Sequence, residues 1–199
     1  MSTDAQLEAG LGAIRALSDT LIAAIATFSA VELNTPSNCP PWAVRDLVVH
    51  LVIGGAGFVS SVRRGLAGSV EPAGNEERLR RQTELETATP AALADALNAV
   101  TTEFVGLYEG LHDDALTAIC FHRRGNRSVR WYAMHRLAEL AFHAWDLQVS
   151  LGREPDLAEP VAALLLATLL ESNAPRTYAA RLDGDVALAD RFELVFPRP

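Results

Sequence analysis

Apolar residues recur at helical spacing in four long segments of the chain, and turn-forming residues separate these segments. The predicted helices cover about residues 5–28, 42–66, 90–111 and 129–151, and a shorter fifth helix covers about residues 157–172. Thr89-Pro90 and Ser128 are typical N-terminal helix signals, and Gly152 is a typical C-terminal signal. Pro41 is predicted in the first turn of the second helix. Four long helices joined by loops predict an all-α fold, a four-helix bundle with a fifth helix.

Three segments carry weaker signals. The polar residues 70–86 fit either a short exposed helix or a loop, and residues 113–131 fit either a hairpin or an irregular loop. The tail alternates weakly around Asp183-Gly184, which favours two short strands. The predicted organisation is therefore a helical bundle over residues 1–173, with a C-terminal extension over residues 174–199 packed on it.

Composition narrows the class of protein. The chain has 199 residues, 49% of them apolar and 21% charged, with a net charge of −8, which argues against a general nucleic-acid binder. Cys39 and Cys120 form no disulfide framework, and no motif beside them indicates a reactive thiol. The N-terminus lacks the pattern of a signal peptide, and the apolar run Val161 to Leu170 is too short to span a membrane. The expected location is the cytoplasm, without a nucleic-acid or membrane partner.

The residues that suggest chemistry are Glu139 and His143 on the fourth helix and His50 on the second. Residues four apart share one helix face, about 5–6 Å apart at Cβ, so this carboxylate and imidazole can bind one metal ion. A third ligand from His50 would leave a coordination position open, as in catalytic zinc sites. The alternative is an amphipathic helix with its polar stripe in water, and a core histidine at position 50.

Two carboxylates are candidates for orienting these imidazoles. Asp46 precedes His50 by one helical turn, and Asp146 follows His143 by three residues. A carboxylate that accepts the distal imidazole N–H fixes the tautomer and raises the basicity of the ligand. The alternative for each carboxylate is a surface charge or an interaction with a helix end.

Further polar residues lie near the predicted site in the sequence. His135, one turn before Glu139, fits a fourth ligand, a proton carrier or an exposed group. Arg130 ends a run of arginines that fits either a carboxylate-binding clamp or a solvated hairpin; the other members are Arg123, Arg124 and Arg127. We therefore name Arg130 and His135 as candidate residues for binding a cofactor.

Small residues follow His50 on the same face of the second helix. They are Gly54, Gly57 and Ser61. An interior helical glycine costs about 1 kcal/mol relative to alanine, so a stripe of them needs a use that offsets this cost. The stripe allows either the close approach of another helix or a cavity above His50.

Two stretches resemble a known family. CPPWAVRDLVVHL (Cys39 to Leu51) contains a Trp-x-Val-Arg-Asp-Leu-x-x-His run, and RLAELAFHAWDLQVSLGR (Arg136 to Arg153) contains Glu-x-x-x-His-x-x-Asp-Leu. In this combination and order they resemble the DinB-like, mycothiol-dependent maleylpyruvate isomerase N-terminal family. The resemblance covers about residues 5–172 and is closest to a short actinobacterial metal-binding branch.

The resemblance implies a function for the site. The family's metal ligands fall on His50, Glu139 and His143, the metal is usually zinc, and mycothiol is the thiol. It implies an enzyme that transfers a thiol to, or isomerises, an electrophilic small molecule. The family's isomerases carry a sizeable C-terminal α+β domain that contributes to the active site, whereas fewer than 30 residues follow the predicted fifth helix here. A non-catalytic metal- or small-ligand-binding protein and a metal-dependent hydrolase therefore remain alternatives, and an edge hairpin is compatible with a homodimer.

Overall fold

The computed structural model describes residues 3–155 together with residues 161, 162, 164 and 165. In chain order its elements are α1 (Thr3–Ala26), α2 (Ala30–Leu33), α3 (Val44–Leu66), α4 (Glu76–Glu86), α5 (Pro90–Gly106), α6 (Asp113–Thr117), β1 (Ile119–Cys120), β2 (Arg127–Ser128) and α7 (Val129–Ser150). The chain divides into two compact units, Met1–Asp156 and Leu157–Pro199. The four described residues of the second unit are helical, within the predicted fifth helix. The predicted boundary at 173/174 and the strands of the tail lie outside the described residues.

The first unit is a four-helix bundle of α1, α3, α5 and α7. α1 packs against α5 and α7, and α3 packs against the same two helices from the other side. The bundle interior consists of large aliphatic side chains that are almost fully buried, among them Ile14, Ile25, Leu47, Leu51, Leu93, Leu97, Leu137 and Leu140. Each such side chain contributes about 1.5–3 kcal/mol on burial, so the helical periodicity of the sequence explains the all-α fold. The predicted fold class is confirmed.

Local capping explains where three of the helix ends fall. The Thr89 side chain accepts the N–H of Ala92 at the start of α5, and Ser128 accepts the N–H of Trp131 at the start of α7. Gly152 has a φ of 65°, a left-handed conformation that ends α7 at little cost. These three signals therefore act as the sequence predicts.

The predicted start of α3 is wrong. Pro41 lies in the loop before the helix, and α3 begins at Val44. The Asp46 carboxylate accepts the N–H of Ala43 at 2.8 Å, which satisfies one of the exposed backbone donors at this helix end. A side chain three residues into the helix, rather than an N1 proline, therefore defines the N-terminus of α3.

The structure also resolves the two internal segments that were ambiguous. Residues 70–86 contain the exposed helix α4, which packs against α3. β1 and β2 pair antiparallel, with Ile119 opposite Ser128, and so form the predicted hairpin. The hairpin lies against α3 at Gly65, where a Cβ atom would overlap the sulfur of Cys120. Glycine at this position is therefore required for the close approach of β1 to α3.

Two helices, Asp4–Ala26 and Val44–Leu66, are long and apolar enough to cross a membrane by length and composition alone. This is weak evidence for a membrane protein, because core helices of helical bundles pass the same test. In this chain both helices contribute side chains to the interior of the bundle. The expected lack of a membrane partner stays a prediction.

Candidate functional site

α3 and α7 bring His50, Glu139 and His143 together. Oε2 of Glu139 lies 3.1 Å from Nε2 of His50 and 3.6 Å from Nε2 of His143. The two imidazole rings meet edge to face, with their centroids 5.0 Å apart. One ligand atom from each of the three side chains lies within 4.8 Å of the other two. The three residues singled out by spacing therefore converge on one point.

This geometry fits a divalent cation. Zinc–nitrogen and zinc–oxygen bonds of about 2.0–2.2 Å in a tetrahedron separate neighbouring ligand atoms by roughly 3.4 Å. The two distances to Glu139 Oε2, 3.1 and 3.6 Å, lie on either side of that value. Two imidazoles and one carboxylate are also a common ligand set of zinc sites with an open coordination position. The side chains of His50 and Glu139 are 35% and 24% exposed, so such a position would be accessible from solvent.

Glu139 is ionised at this point. Burial opposes ionisation, but hydrogen bonds with His143 and His50 outweigh it and hold the pKa of Glu139 well below its usual range. The carboxylate therefore offers a full negative charge to a cation between the two imidazoles.

His143 is oriented by Asp146. Nδ1 of His143 lies 3.0 Å from Oδ2 of Asp146, and both side chains are almost completely buried. Burial lowers the pKa of His143, but its bonds with Asp146, Cys39 and Glu139 raise it to about 10. Because Nδ1–H donates to Asp146, Nε2 faces Glu139, which is the orientation that metal ligation through Nε2 requires.

The loop before α3 adds donors around Asp146 that the sequence analysis did not connect with the site. Cys39 Sγ lies 3.1 Å from Oδ2 of Asp146, and Nδ2 of Asn38 lies 3.1 Å from Oδ1. The backbone N–H of Asn38 also donates to Oγ of Ser150 at 2.8 Å. The one sequence signal for this contact is that Cys39 belongs to the loop that leads into the ligand helix α3. These contacts bring together a second group of candidate ligand atoms, which come from Cys39, His143 and Asp146.

Asp46 plays a different part from the one considered for it. Its described hydrogen bond is to the N–H of Ala43, at the N-terminus of α3, and not to an imidazole. The ring of Trp42 instead lies beside His50, with centroids 5.0 Å apart. Of the two carboxylates proposed to orient ligands, Asp146 contacts its histidine, whereas the described contact of Asp46 caps the helix.

The structure separates the two candidate cofactor-binding residues. His135 lies at the site: its Nε2 is 3.8 Å from Oε1 of Glu139, and its ring stacks on Trp131 with centroids 4.3 Å apart. Burial lowers the pKa of His135 to about 4, so its ring is neutral at neutral pH. Arg130, in contrast, donates to the Asp4 carboxylate of α1 at 2.8 Å. Arg130 therefore links α7 to α1.

Part of the arginine run lies beside the aromatic side chains next to the site. The guanidinium carbon of Arg127 is 5.5 Å from the centroid of the Trp131 ring, whereas Arg123 and Arg124 are exposed. His122 also packs edge-on to Trp131, at 5.1 Å. Burial lowers the pKa of His122, and Arg127 acts in the same direction. A row of rings, at helical spacing on α7, thus extends from Glu139 towards the hairpin.

The stripe of small residues after His50 borders open space, and the close approach of another helix occurs at a glycine outside that stripe. A Cβ atom at Gly54 or Gly57 would meet nothing within 4 Å, so these positions border open space one and two turns after His50. Gly55 is the close-approach glycine, since a Cβ there would lie 3.0 Å from the guanidinium carbon of Arg136. The fully buried Arg136 donates from Nη1 to the carbonyl of Leu51 at 2.9 Å.

Together these features define a helical bundle with a two-histidine, one-carboxylate centre between two facing helices and an open stripe beside it. A family model described as "Mycothiol maleylpyruvate isomerase N-terminal domain" matches residues 14–148. The chain belongs to this family. The match includes all three residues of the centre and Asp146.

Comparison with solved structures supports the fold. The crystal structure of the mycothiol-dependent maleylpyruvate isomerase is similar, with a TM-score of 0.67 and 18% identity over 82% of this chain and 68% of that chain. The structure of a histidine-to-alanine mutant of that enzyme gives a TM-score of 0.63 and 16% identity, with the same coverage. No curated protein matches the chain significantly. The DinB-like helical fold is thus confirmed.

Proposed function

We propose that this chain is a cytoplasmic, metal- and thiol-dependent enzyme that transfers a thiol to, or isomerises, an electrophilic small molecule. The observation that carries the proposal is the convergence of His50, Glu139 and His143 on one point beside the open face of Gly54 and Gly57. Family membership supports mycothiol as the thiol and a thiol-dependent isomerisation as the type of reaction.

In this proposal His50, Glu139 and His143 hold a divalent ion, with zinc favoured by the donor set. When bound, such an ion stabilises a thiol as its nucleophilic thiolate near neutral pH. Asp146 keeps His143 in the orientation that presents Nε2. Glu139 supplies a negative charge to the ion, and binding of the ion requires that each imidazole present its Nε2 without a proton.

The neighbouring side chains have roles that follow from their positions. Trp42 lies on one side of His50, and Phe58 and Trp131 lie against His135, so aromatic rings border the centre. The His135 ring lies 3.8 Å from Glu139, and its pKa of about 4 makes it a weak base, so at neutral pH it offers a neutral hydrogen-bonding group beside the centre. The space beside Gly54 and Gly57 accommodates the electrophile.

The metal is tested by elemental analysis of the purified protein beside His50→Ala and Glu139→Ala. We expect about one metal ion per chain in the wild type and a large loss in both variants, because each removes one of three ligands. His112→Ala is the matched control, since this exposed histidine lies outside the centre. Undiminished metal in both ligand variants would contradict the proposed centre.

The reaction is tested by turnover of maleylpyruvate, the substrate named for the similar isomerase, with and without mycothiol. Turnover that requires the thiol and disappears in Glu139→Ala is expected. Turnover without any thiol would instead favour a metal-dependent hydrolase. Retained metal with no turnover of electrophiles under either condition would favour a non-catalytic metal- or small-ligand-binding protein.

A further inference from the structure

The buried carboxylate of Asp146 is held from two separate parts of the chain. His143, three residues earlier on α7, contacts Oδ2 at 3.0 Å. From the loop before α3, Cys39 contacts the same oxygen at 3.1 Å and Asn38 contacts Oδ1 at 3.1 Å. A carboxylate that is 2% exposed needs such donors, because burying a charge without hydrogen bonds is costly.

The same loop contacts both helices that carry the proposed ligands. At Asn38 and Cys39 it is hydrogen-bonded to α7, through Asp146 and Ser150. A few residues later, Trp42 lies beside the ring of His50 and Ala43 donates its N–H to Asp46 at the start of α3. The loop therefore connects the two halves of the centre.

We propose that Cys39 is a positioning residue of the centre: its thiol, with Asn38, holds Asp146 so that Asp146 orients His143. This inference rests on the proposed function, because it assigns a use for the orientation of His143. Cys39 acts on His143 through Asp146 and through its own contact with the ring, and it binds neither the metal nor the substrate. The S–H group donates to Oδ2, and the Nδ1–H of His143 donates to the same oxygen, so loss of the thiol removes one of the donors that fix the orientation of this buried carboxylate.

The structure offers a matched control for this thiol. Cys120, on β1 of the hairpin, is fully buried against α3, and burial raises its pKa to about 11. It contacts none of the three proposed ligands in the described part of the chain. If loss of a thiol acted only through general packing, Cys39→Ala and Cys120→Ala should affect zinc binding alike. A positioning role instead predicts weaker zinc binding in Cys39→Ala alone.

The test measures zinc affinity by competition with a chelator for the wild type, Cys39→Ala, Cys39→Ser and Cys120→Ala. We expect about a tenfold loss of affinity in Cys39→Ala, the lower end of the range for partners of metal ligands. Cys39→Ser should recover most of the loss, because its hydroxyl is also a donor to Asp146. Cys120→Ala should bind zinc as the wild type does, whatever its stability. Unchanged affinity in Cys39→Ala would overturn the inference.

Two further measurements test the second donor of the loop and the alternative that Cys39 binds the metal directly. Asn38→Ala removes the other side-chain donor that this loop provides to Asp146. The inference requires that this variant also bind zinc more weakly. Because Asn38 is exposed, the variant remains a test even if Cys39→Ala fails to fold. Substitution of cobalt for zinc tests direct ligation, since a sulfur-to-cobalt charge-transfer band lost in Cys39→Ser would make Cys39 a ligand and overturn the positioning role. A wild-type protein that binds no zinc would instead refute the proposed function, and the inference with it.

Discussion

At the scale of single residues, neighbouring positions on one helix serve opposite purposes. Gly54 borders open space beside the centre, whereas Gly55, the next residue, lies against the guanidinium group of Arg136. The absence of a side chain keeps a surface accessible in the first case and permits close packing in the second. Sequence alone assigns both glycines to the same class, because each is an interior helical glycine.

This difference predicts opposite effects of the same substitution. Gly54→Ala should raise the free energy of unfolding by about 0.5–1 kcal/mol, from the better helix propensity of alanine, and Gly54→Val should reduce turnover by filling the open space. Gly55→Ala should lower the free energy of unfolding by about 1–3 kcal/mol, because Arg136 is fully buried and has little room to move. Urea denaturation and turnover of the same samples measure both effects.

A fall in stability for Gly54→Ala, or none for Gly55→Ala, would contradict this assignment of open and close-packed faces. Gly12→Ala, in the interior of α1, provides a reference for the propensity gain alone, since a Cβ there also meets nothing within 4 Å.

At the scale of elements, α7 carries most of the candidate chemistry and depends on its first turn. The Ser128 side chain accepts the N–H of Trp131, one turn before His135 and two before Glu139. The hairpin that precedes α7 ends at the same serine. One residue thus defines both where the hairpin ends and where the ligand helix begins.

Removal of this cap should lower the stability of the protein and leave the metal centre unchanged. Ser128→Ala is expected to lower the free energy of unfolding by about 1 kcal/mol, because one backbone N–H loses its acceptor. Thr89→Ala, at the equivalent position of α5, should cost a similar amount. Zinc affinity should stay unchanged in both variants, since Glu139 and His143 lie well inside α7. Thermal unfolding and chelator competition check the two expectations, and weaker zinc binding in Ser128→Ala alone would contradict them.

At the scale of the whole molecule, the proposed ion would join α3 to α7 across the bundle. A ligand that binds only the folded state stabilises that state by an amount set by its concentration and affinity. At a free zinc concentration one hundred times the dissociation constant, the expected gain in the free energy of unfolding is about 2.7 kcal/mol. The melting temperature should therefore rise on addition of zinc and fall on addition of a chelator.

The matched pair for this experiment is His50→Ala and His112→Ala. The first should lose the zinc-dependent rise in melting temperature, whereas the second should keep it, because the exposed His112 lies outside the centre. An equal rise in both variants would mean that zinc stabilises the protein at a different place. Sedimentation of the same samples would test the predicted compatibility with a homodimer.

Much of this protein can be predicted from its sequence because the controlling interactions are local. Helical periodicity, the caps at Thr89 and Ser128 and the glycine at position 152 define helices with little reference to the rest of the chain. The spacing of Glu139 and His143 places both on one face for the same reason. His50 on the second helix was the candidate third ligand, and the family pattern agreed with this set of three.

Other features required the tertiary structure, because they depend on which surfaces meet. The loop contact of Cys39 with Asp146 joins residues that are far apart in the sequence, and no periodicity encodes it. Asp46 has the right spacing to reach His50, yet the nearby Ala43 N–H is the group it contacts. The sequence by itself determined the helices and the identity of the candidate ligands. Only the packing of α3 against α7 decided their convergence, the open face at Gly54 and the environment of Asp146, since each of these is a property of two surfaces brought together.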